Sequence, residues 1–400
     1  MLKVLHSADW HVRDRDIEEV EKCLNFLVDT ARKEKVDLAI IAADIFDSRD
    51  IKLDSLSAKL VITKTSELAD ICPVYIITGT PSHEGTATDI LRLIKGVYSI
   101  HVATMPEQLP CCVNGPQAVI TLIPTPTKQY FHTKSDIATS DEEISSAMNA
   151  LFAGFGAQAS AFDVPHILVG HWNVRGSKLP NGLVRTGMDI EISTDQMMLA
   201  NPTIGCLGHI HIAQKLGDRF FFSGPIYATK IDEVGPNGFW IHEIQSKGET
   251  IGNKYETKSR FIETPCKKIV RFTFDLTDEF SDYLSLNDRL LKEHYDEQVP
   301  GAYVRIDVTT WQDKACEIDK EAIKEFCLAA GALDVEIRIN TVPRETIRAA
   351  SVLEAETLKD EFSEMAKLRG EEIDPETLSM AEQLETVPAE ELLKTIAEAA

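Results

Sequence analysis

Five short clusters of carboxylates and imidazoles lie within the first 211 residues of this 400-residue chain. Asp9 and His11 form an Asp-x-His pair, and in an extended chain residues two apart project to the same side. Asp44-Ile45-Phe46-Asp47 is the second cluster and Gly79-Thr80-Pro81-Ser82-His83-Glu84 the third. Gly170-His171 and Gly208-His209-Ile210-His211 complete the set. Taken singly, each has a bland reading. Asp9-x-His11 reads as surface polarity, Asp44 as a helix cap, His83 as a turn residue and His171 as a satisfied core histidine. Together they are hard carboxylates and borderline imidazoles, the donors that hold a pair of divalent cations. Two such cations about 4 Å apart can bind a phosphate, acidify a water and stabilise a leaving oxygen. The chemistry these residues point to is hydrolysis of a phosphate ester.

Each cluster directly follows an apolar run. The runs are Val4-Leu5, Leu38–Ile41, Val74–Ile77, His166–Val169 and Ile204–Leu207, with Val119–Leu122 as a further one. Short continuous apolar runs read as buried strands. Between the first two, Ile17, Val20, Leu24, Leu27 and Ala31 recur at spacings of 3 and 4, one face of a helix. Strand–helix–strand alternation of this kind makes an α/β layered fold. Open α/β sheets present their ligands at strand ends, which is where the clusters fall. Phe220–Phe222, Ser223-Gly224-Pro225 and Gly238–Ile241 read as a later, hairpin-rich edge.

A second region, from about residue 259 to 342, has strand-like Ile269–Phe274, a cleanly alternating and therefore half-exposed Tyr303–Val308, a helix over 320–330 and a strand at Val335–Ile339. This is a small α+β domain. The last segment is helical, with stripes at Leu358, Phe362 and Met365, at Leu378, Ala381 and Leu384, and at Leu392, Leu393 and Ile396. Asp374-Pro375 is a helix start, Asp as cap and Pro in the first turn. Such a tail either folds back on its own domain or docks on another chain.

Composition sets limits. The formal net charge is −23. From Thr346 to the end there are 14 acids and 5 bases, a net of −9, and the rest still carries −14. A nucleic-acid substrate would therefore be attracted by bound metal ions and a local basic patch, or through a partner chain, and not by overall charge. Arg13, Arg15 and Arg49, near the first two clusters, and Lys128, in the loop Pro124–Lys128, are the candidate phosphate contacts. Ordinary surface charge is the bland reading of each. No apolar run approaches the roughly 18–20 residues of a membrane helix. The eight cysteines show no CxxC spacing, and a reducing, cytoplasmic setting is the expectation. The N-terminus turns polar at His6-Ser7-Ala8-Asp9 and does not read as a signal peptide.

The pattern D-x-H, (G)DxxD, G…H(E), GH, GHxH resembles that of the calcineurin-like metallophosphoesterases. His6-Ser7-Ala8-Asp9-Trp10-His11, Asp44-Ile45-Phe46-Asp47-Ser48, and Phe222-Ser223-Gly224-Pro225 followed by Gly238-Phe239 are similar to the SbcD-type nuclease branch of that superfamily. The resemblance implies a two-sheet α/β sandwich phosphoesterase domain over 1–258, a small α+β cap domain over 259–342 and a helical partner-docking segment over 343–400. It implies that Asp9, His11 and His211 hold a first metal, that Asp44 bridges, and that His171 and His209 hold a second. His83, with Asp47 of the second motif, would be catalytic, His83 assisting the leaving group. The implied cofactor is two divalent ions, usually Mn²⁺. The implied partners are DNA, a second copy of the chain, and a coiled-coil ATPase of the SbcC type bound through the C-terminal helices. The implied activity is a DNA exo- or endonuclease in break repair or recombination.

Two positions depart from the family pattern. Ala43 stands where the second motif begins with Gly, and one added methyl is expected to be a mild change. In the third motif Ser82 precedes His83 where the family has a metal-ligating Asn, with Thr80-Pro81 inserted. Ser82 could ligate through its hydroxyl or through a water, or leave that position open, and weaker binding of the second metal is the expectation. The alternatives are a phosphodiesterase for small substrates, sharing the same ligands, and a scaffold with a weakened site.

Overall fold

The computed structural model describes residues 1–112, 116–126, 141–178, 190–230, 233, 235–248, 254–277, 299–343, 350–371 and 373–388. Lys128 and the stripe Leu392, Leu393 and Ile396 lie outside the described residues. Among these residues no helix is long and apolar enough to cross a membrane.

Two six-stranded sheets organise the first 263 residues. The first contains β1 (Leu2–Ser7), β2 (Leu38–Ile41), β3 (Val74–Ile77) and β4 (Ile100–Ala103), all parallel, and is extended on the far side of β1 by the antiparallel pair β13 (Gly238–Ser246) and β14 (Tyr255–Glu263). The second contains β5 (Glu107–Cys112), β6 (Pro116–Ile123), β7 (His166–His171), β10 (Ile204–Gly208), β11 (Gln214–Leu216) and β12 (Phe220–Phe222). Its centre, β6-β7-β10-β12, is parallel. A short parallel pair, β8 (Asn173–Val174) and β9 (Glu191–Ile192), stands apart. All six strands expected before residue 208 are present. The hairpin-rich stretch is two hairpins, β11–β12 and β13–β14, each ending a different sheet. The expected division at 258/259 falls within β14.

The layers follow from which face each side chain takes. Val4, Leu38, Ile40, Tyr75 and Ile77 of one sheet meet Ile120, Leu122, Ile167, Val169 and Cys206 of the other in an inter-sheet core. The outer face of the first sheet (Leu5, Ala39, Ile41, Val74, Ile76) packs on helices α1 (Ile17–Glu34) and α2 (Leu56–Ala69). That of the second (Leu168, Leu207, Phe222) packs on α3 (Asp141–Ala159) and α4 (Thr194–Met198). The 3-and-4 spacing of α1 buries Val20, Leu24, Leu27 and Ala31, and Lys35 in the left-handed region stops the helix at φ 55°. Truncating a fully buried residue such as Leu24 to Ala would cost about 2–5 kcal/mol. Continuous apolar strands occur because the parallel strands are covered on both faces.

Farther along, β15 (Lys268–Asp275), β16 (Ala302–Trp311) and β17 (Asp334–Val342) form a three-stranded sheet, with α5 (Lys320–Ala329) between the last two strands in sequence. The half-exposed reading of Tyr303–Val308 is corrected here. Arg305 and Asp307, expected to face water, are buried. They tolerate burial by pairing: Arg305 Nε is 2.9 Å from Asp307 Oδ1, and Arg271 Nε is 2.6 Å from Asp307 Oδ2. Residues 339–400 belong to a second compact unit. Its helices α6 (Leu358–Arg369) and α7 (Pro375–Thr386) begin where expected, the Asp374 carboxylate accepting from Glu376 N. Leu368, Met380 and Leu384 on them are more than half exposed.

Candidate metal centre

The parallel strands β1, β2, β3, β7 and β10 all end at one edge of the sandwich, and each delivers its cluster there. The loops after β1 and β2 clasp each other. Ala42 N donates to Ser7 O, Asp9 N to Ala43 O, His11 N to Asp44 O and Val12 N to Ile45 O, at 2.8–3.0 Å. That clasp holds Asp9, His11, Ala43 and Asp44 at φ 51°, 41°, 74° and 48°; His209, whose N donates to Asp9, is at 91°. Non-glycine residues in the left-handed region are uncommon and cluster where structure over-determines them. Ala43 is therefore not a mild replacement. It stands where a glycine would be unstrained, at a cost of about 1 kcal/mol.

Six of the expected ligands converge in two sets of three. The donor atoms of Asp9, His11 and His211 lie within 4.8 Å of one another, as do those of Asp44, His171 and His209. The sets touch: His11 Nε2 is 3.8 Å from Asp44 Oδ2, and His171 Nδ1 is 3.9 Å from Asp9 Oδ1. His11 Nε2 and His211 Nε2 stand 3.0 Å apart. Two nitrogens ligating one ion at right angles stand about that far apart. His171 Nε2 points at Asp44 Oδ2, 3.2 Å away, and has no hydrogen-bond partner among the described residues. The same is true of His11 Nδ1. His171 Nε2, buried beside a carboxylate without a partner, is what a cation would satisfy, whereas His11 Nδ1 faces Asp47 Oδ1; the donor set fits divalent ions.

The shell around the ligands fixes their orientation. His171 Nδ1 donates to Ala42 O at 2.8 Å, which leaves Nε2 as the donor atom for a metal. His211 Nδ1 meets Glu233 Oε1 at 2.5 Å, and Glu233 in turn accepts from Thr229 N and Oγ1 at 2.8 and 2.9 Å. Asp9 accepts from His209 N at 2.9 Å, and Tyr227 Oη donates to His11 O at 3.0 Å. Glu84, fully buried, accepts from Gly79 N at 2.6 Å and from Ile45 N, tying the loop after β3 to the loop after β2. Gly79 has to be glycine, because a Cβ there would sit 2.6 Å from Asp44 N.

Electrostatics in the metal-free centre show the same pull. Burial works against ionisation of Asp44, yet the charge of His171 beside it holds its pKa far below the ordinary carboxylate range. Burial likewise opposes protonation of His171, and Asp44 and Asp9 override it, raising His171 to about 9. Burial raises Asp9. Burial pushes His11 down to about 3, so it is a neutral ligand. Burial opposes protonation of His211, but the Glu233 hydrogen bond raises it.

The third cluster departs from expectation. Ser82 is exposed in the turn after Thr80, and it is not brought into the centre. The oxygen beside the bridging position is that of Thr80: Thr80 N donates to Asp44 Oδ1 at 2.7 Å and Thr80 Oγ1 to Asp44 Oδ2 at 3.2 Å. With Thr80 on Asp44 and Ser82 exposed, the extra pair is Pro81-Ser82 and not Thr80-Pro81 as expected. His83 is brought in, its ring centroid 4.8 Å from that of His11 and its Nδ1 3.4 Å from Asp47 O. Asp47 Oδ1 lies 3.6 Å from His11 Nδ1. Of the candidate phosphate contacts, Arg13 is committed internally, bonded to Asp16 and to Thr229 O and 3.5 Å from Asp47 Oδ2. Arg49 is 69% exposed, 4.0 Å from Asp50. Thr80, Glu84, Tyr227 and Glu233 were missed as site residues. Glu84 adjoins His83, but nothing in spacing marks Glu233, 22 residues beyond His211.

No family model matches the chain. Over 275 residues it is 25% identical to the SbcD component of the SbcCD nuclease of Escherichia coli, strains K12 and O157:H7, covering 61% of this chain and 64% of each relative. The chain thus spans less than two thirds of those relatives' length. Among solved structures it is similar to a dimetal phosphatase from Danio rerio (10% identity, TM-score 0.41, 66% of this chain and 99% of the other). A further likeness is to GAP50, described as the anchor in the inner membrane complex of Plasmodium (14% identity, TM-score 0.40, 67% and 86%). Over those 275 residues, then, the chain is similar in sequence to a nuclease component.

Proposed function

We propose that the chain is a metal-dependent phosphodiesterase that cleaves DNA. The observation that carries the reading is the meeting of two Asp/His triads, each drawn from the strand ends of both sheets, with the unpartnered Nε2 of His171 facing Asp44. When bound, two divalent cations supply Lewis acidity toward the phosphate and an acidified water. Asp9, His11 and His211 would hold one ion, Asp44, His171 and His209 the other, with Asp44 reaching toward both. Glu233 and the Ala42 carbonyl fix the ring orientation of His211 and His171. His83, its Nδ1 3.4 Å from the Asp47 carbonyl, would as the imidazolium donate to the leaving oxygen through its other nitrogen. Asp47 stands against His11 and would hold that ring.

Manganese as the ion, DNA as the substrate, a homodimer, a cytoplasmic setting and a coiled-coil ATPase partner docking on the C-terminal helices belong to this proposal. So does the division into a nuclease domain, a cap domain and a docking segment. Sequence similarity to the nuclease component supports DNA as the substrate and an ATPase as the partner, and the apolar side chains exposed on α6 and α7 offer that partner a face. Lys128 and Arg49 remain proposed phosphate contacts; Arg13, already paired, serves better to hold Asp47. The test is cleavage of linear and circular DNA with Mn²⁺ by the native chain, Asp44→Ala and His83→Ala. Cleavage that needs both residues supports the proposal. Hydrolysis of small diesters with no cleavage of DNA, with or without the ATPase, would transfer the site to small substrates.

A further inference from the structure

We propose that His6, Cys206 and His242 form a second metal site, buried between the two sheets, for a monovalent thiophilic cation of the copper(I) kind. His6 lies on β1, Cys206 on β10 and His242 on β13, so the cluster joins both sheets. All three are fully buried, and one donor atom from each lies within 4.8 Å of the others. Around them the inter-sheet core is apolar, with Val4, Ala8, Ile204 and Ile244 as neighbours along the same strands.

The rings are held from outside. His6 Nε2 is 3.2 Å from Leu207 O, and a carbonyl only accepts, so Nε2 carries the hydrogen and Nδ1 is bare. His242 Nδ1 is 2.7 Å from Ser259 Oγ. The inner nitrogens, His6 Nδ1 and His242 Nε2, then face each other at 3.4 Å. An imidazole anchored through one nitrogen with the other turned inward is how histidine binds metals. Two such nitrogens about 2.0 Å from a common ion, at angles between tetrahedral and trigonal, stand roughly 3.3–3.5 Å apart. Cys206 Sγ, within 4.8 Å of both nitrogens, would close on the ion as the third ligand. Burial keeps both rings neutral, His6 being pushed down to about 3. Without an ion, the His242 Nε2 hydrogen fills the gap between the rings; on metal binding it would move to His242 Nδ1, which then donates to Ser259 Oγ, so both rings stay neutral.

Charge selects the ion. On coordination the Cys206 thiol loses its proton to solvent, and the thiolate with a monovalent cation is neutral. A divalent cation would leave a net positive charge in an apolar core, and no carboxylate belongs to the cluster. Two imidazoles and one thiolate are a soft set, unlike the sulfur-free centre at the strand ends.

The test is to produce the full chain in copper-supplemented medium, so that the ion enters as the chain folds. It is then challenged anaerobically with a copper(I) chelator and its copper examined by X-ray absorption. One retained equivalent with a shell of one sulfur and two nitrogens is expected. Cys206→Ser and His242→Gln should each weaken retention by about 100-fold or more, while Asp44→Ala keeps it. Should Cys206→Ser fail to fold, Cys206→Ala, which keeps a small apolar group, takes its place. Equal copper in the Cys206 variants, an all-sulfur shell, or retention of zinc in preference to copper would overturn the proposal.

Discussion

Two imidazole clusters share strands yet are built in opposite ways. β1 gives His6 to the sandwich interior and then Asp9 and His11 to its end; β10 gives Cys206 and then His209 and His211. Within the strands, regular pleating sets the side chains and no left-handed residue is needed. At the strand ends, Asp9, His11, Ala43, Asp44 and His209 all have positive φ. The inner cluster is dry, neutral and sulfur-bearing. The outer one is oxygen-bearing, highly charged and reaches solvent through His209 and His211. Backbone strain and unpartnered nitrogens thus gather where hydrolysis is proposed, and the same strands need neither three residues upstream.

The largest expected effect that would sharpen this contrast is on Asp44. Asp44→Ala removes the carboxylate reaching toward both triads and should lower hydrolysis on the order of 10³–10⁴-fold in a steady-state assay. Glu233→Gln keeps the size of the side chain but weakens the hold on His211. Manganese affinity measured by titration should fall about 10–100-fold, with the fold intact by circular dichroism.

The pH response comes next. His171 rises from 6.5 to about 9 in the folded, metal-free protein. Its pairing with Asp44 and Asp9 therefore contributes stability that is fully present below about pH 6.5 and is lost as pH climbs through about 9. Chelator-treated protein should show a falling Tm across that window. Since a metal must displace that proton, apparent affinity should rise about tenfold per pH unit below 9. A flat profile in both measurements would break the assignment of His171. Smaller again, Ala43→Gly should stabilise by about 1 kcal/mol in chemical denaturation, because φ 74° suits glycine. Ser82→Ala, on an exposed turn, should shift stability by less than about 0.5 kcal/mol and leave manganese binding unchanged.

Much of this was legible in the sequence. Strands betrayed themselves as apolar runs because both faces of each sheet are covered, and ligands followed because strand ends are where side chains escape a sheet. Asp9, His11, Asp44, His171, His209 and His211 are brought together as their spacing suggested. What stayed hidden depends on backbone path. Ser82 adjoins His83 in sequence, but the turn carries it outward and gives its place to Thr80. The strain at Ala43 is a dihedral, invisible in residue type. Arg305 and Asp307 alternate as exposed residues would and are buried because they satisfy each other. Glu233 meets His211 from beyond the β11–β12 hairpin, and the inner cluster unites residues from three strands of two sheets.

The most direct test of the binuclear centre is anomalous diffraction from crystals grown with Mn²⁺. Two peaks roughly 3.5–4 Å apart are predicted, one among Asp9, His11 and His211 and one among Asp44, His171 and His209, with Asp44 touching both. A single peak, or peaks away from these residues at saturating Mn²⁺, would contradict the account.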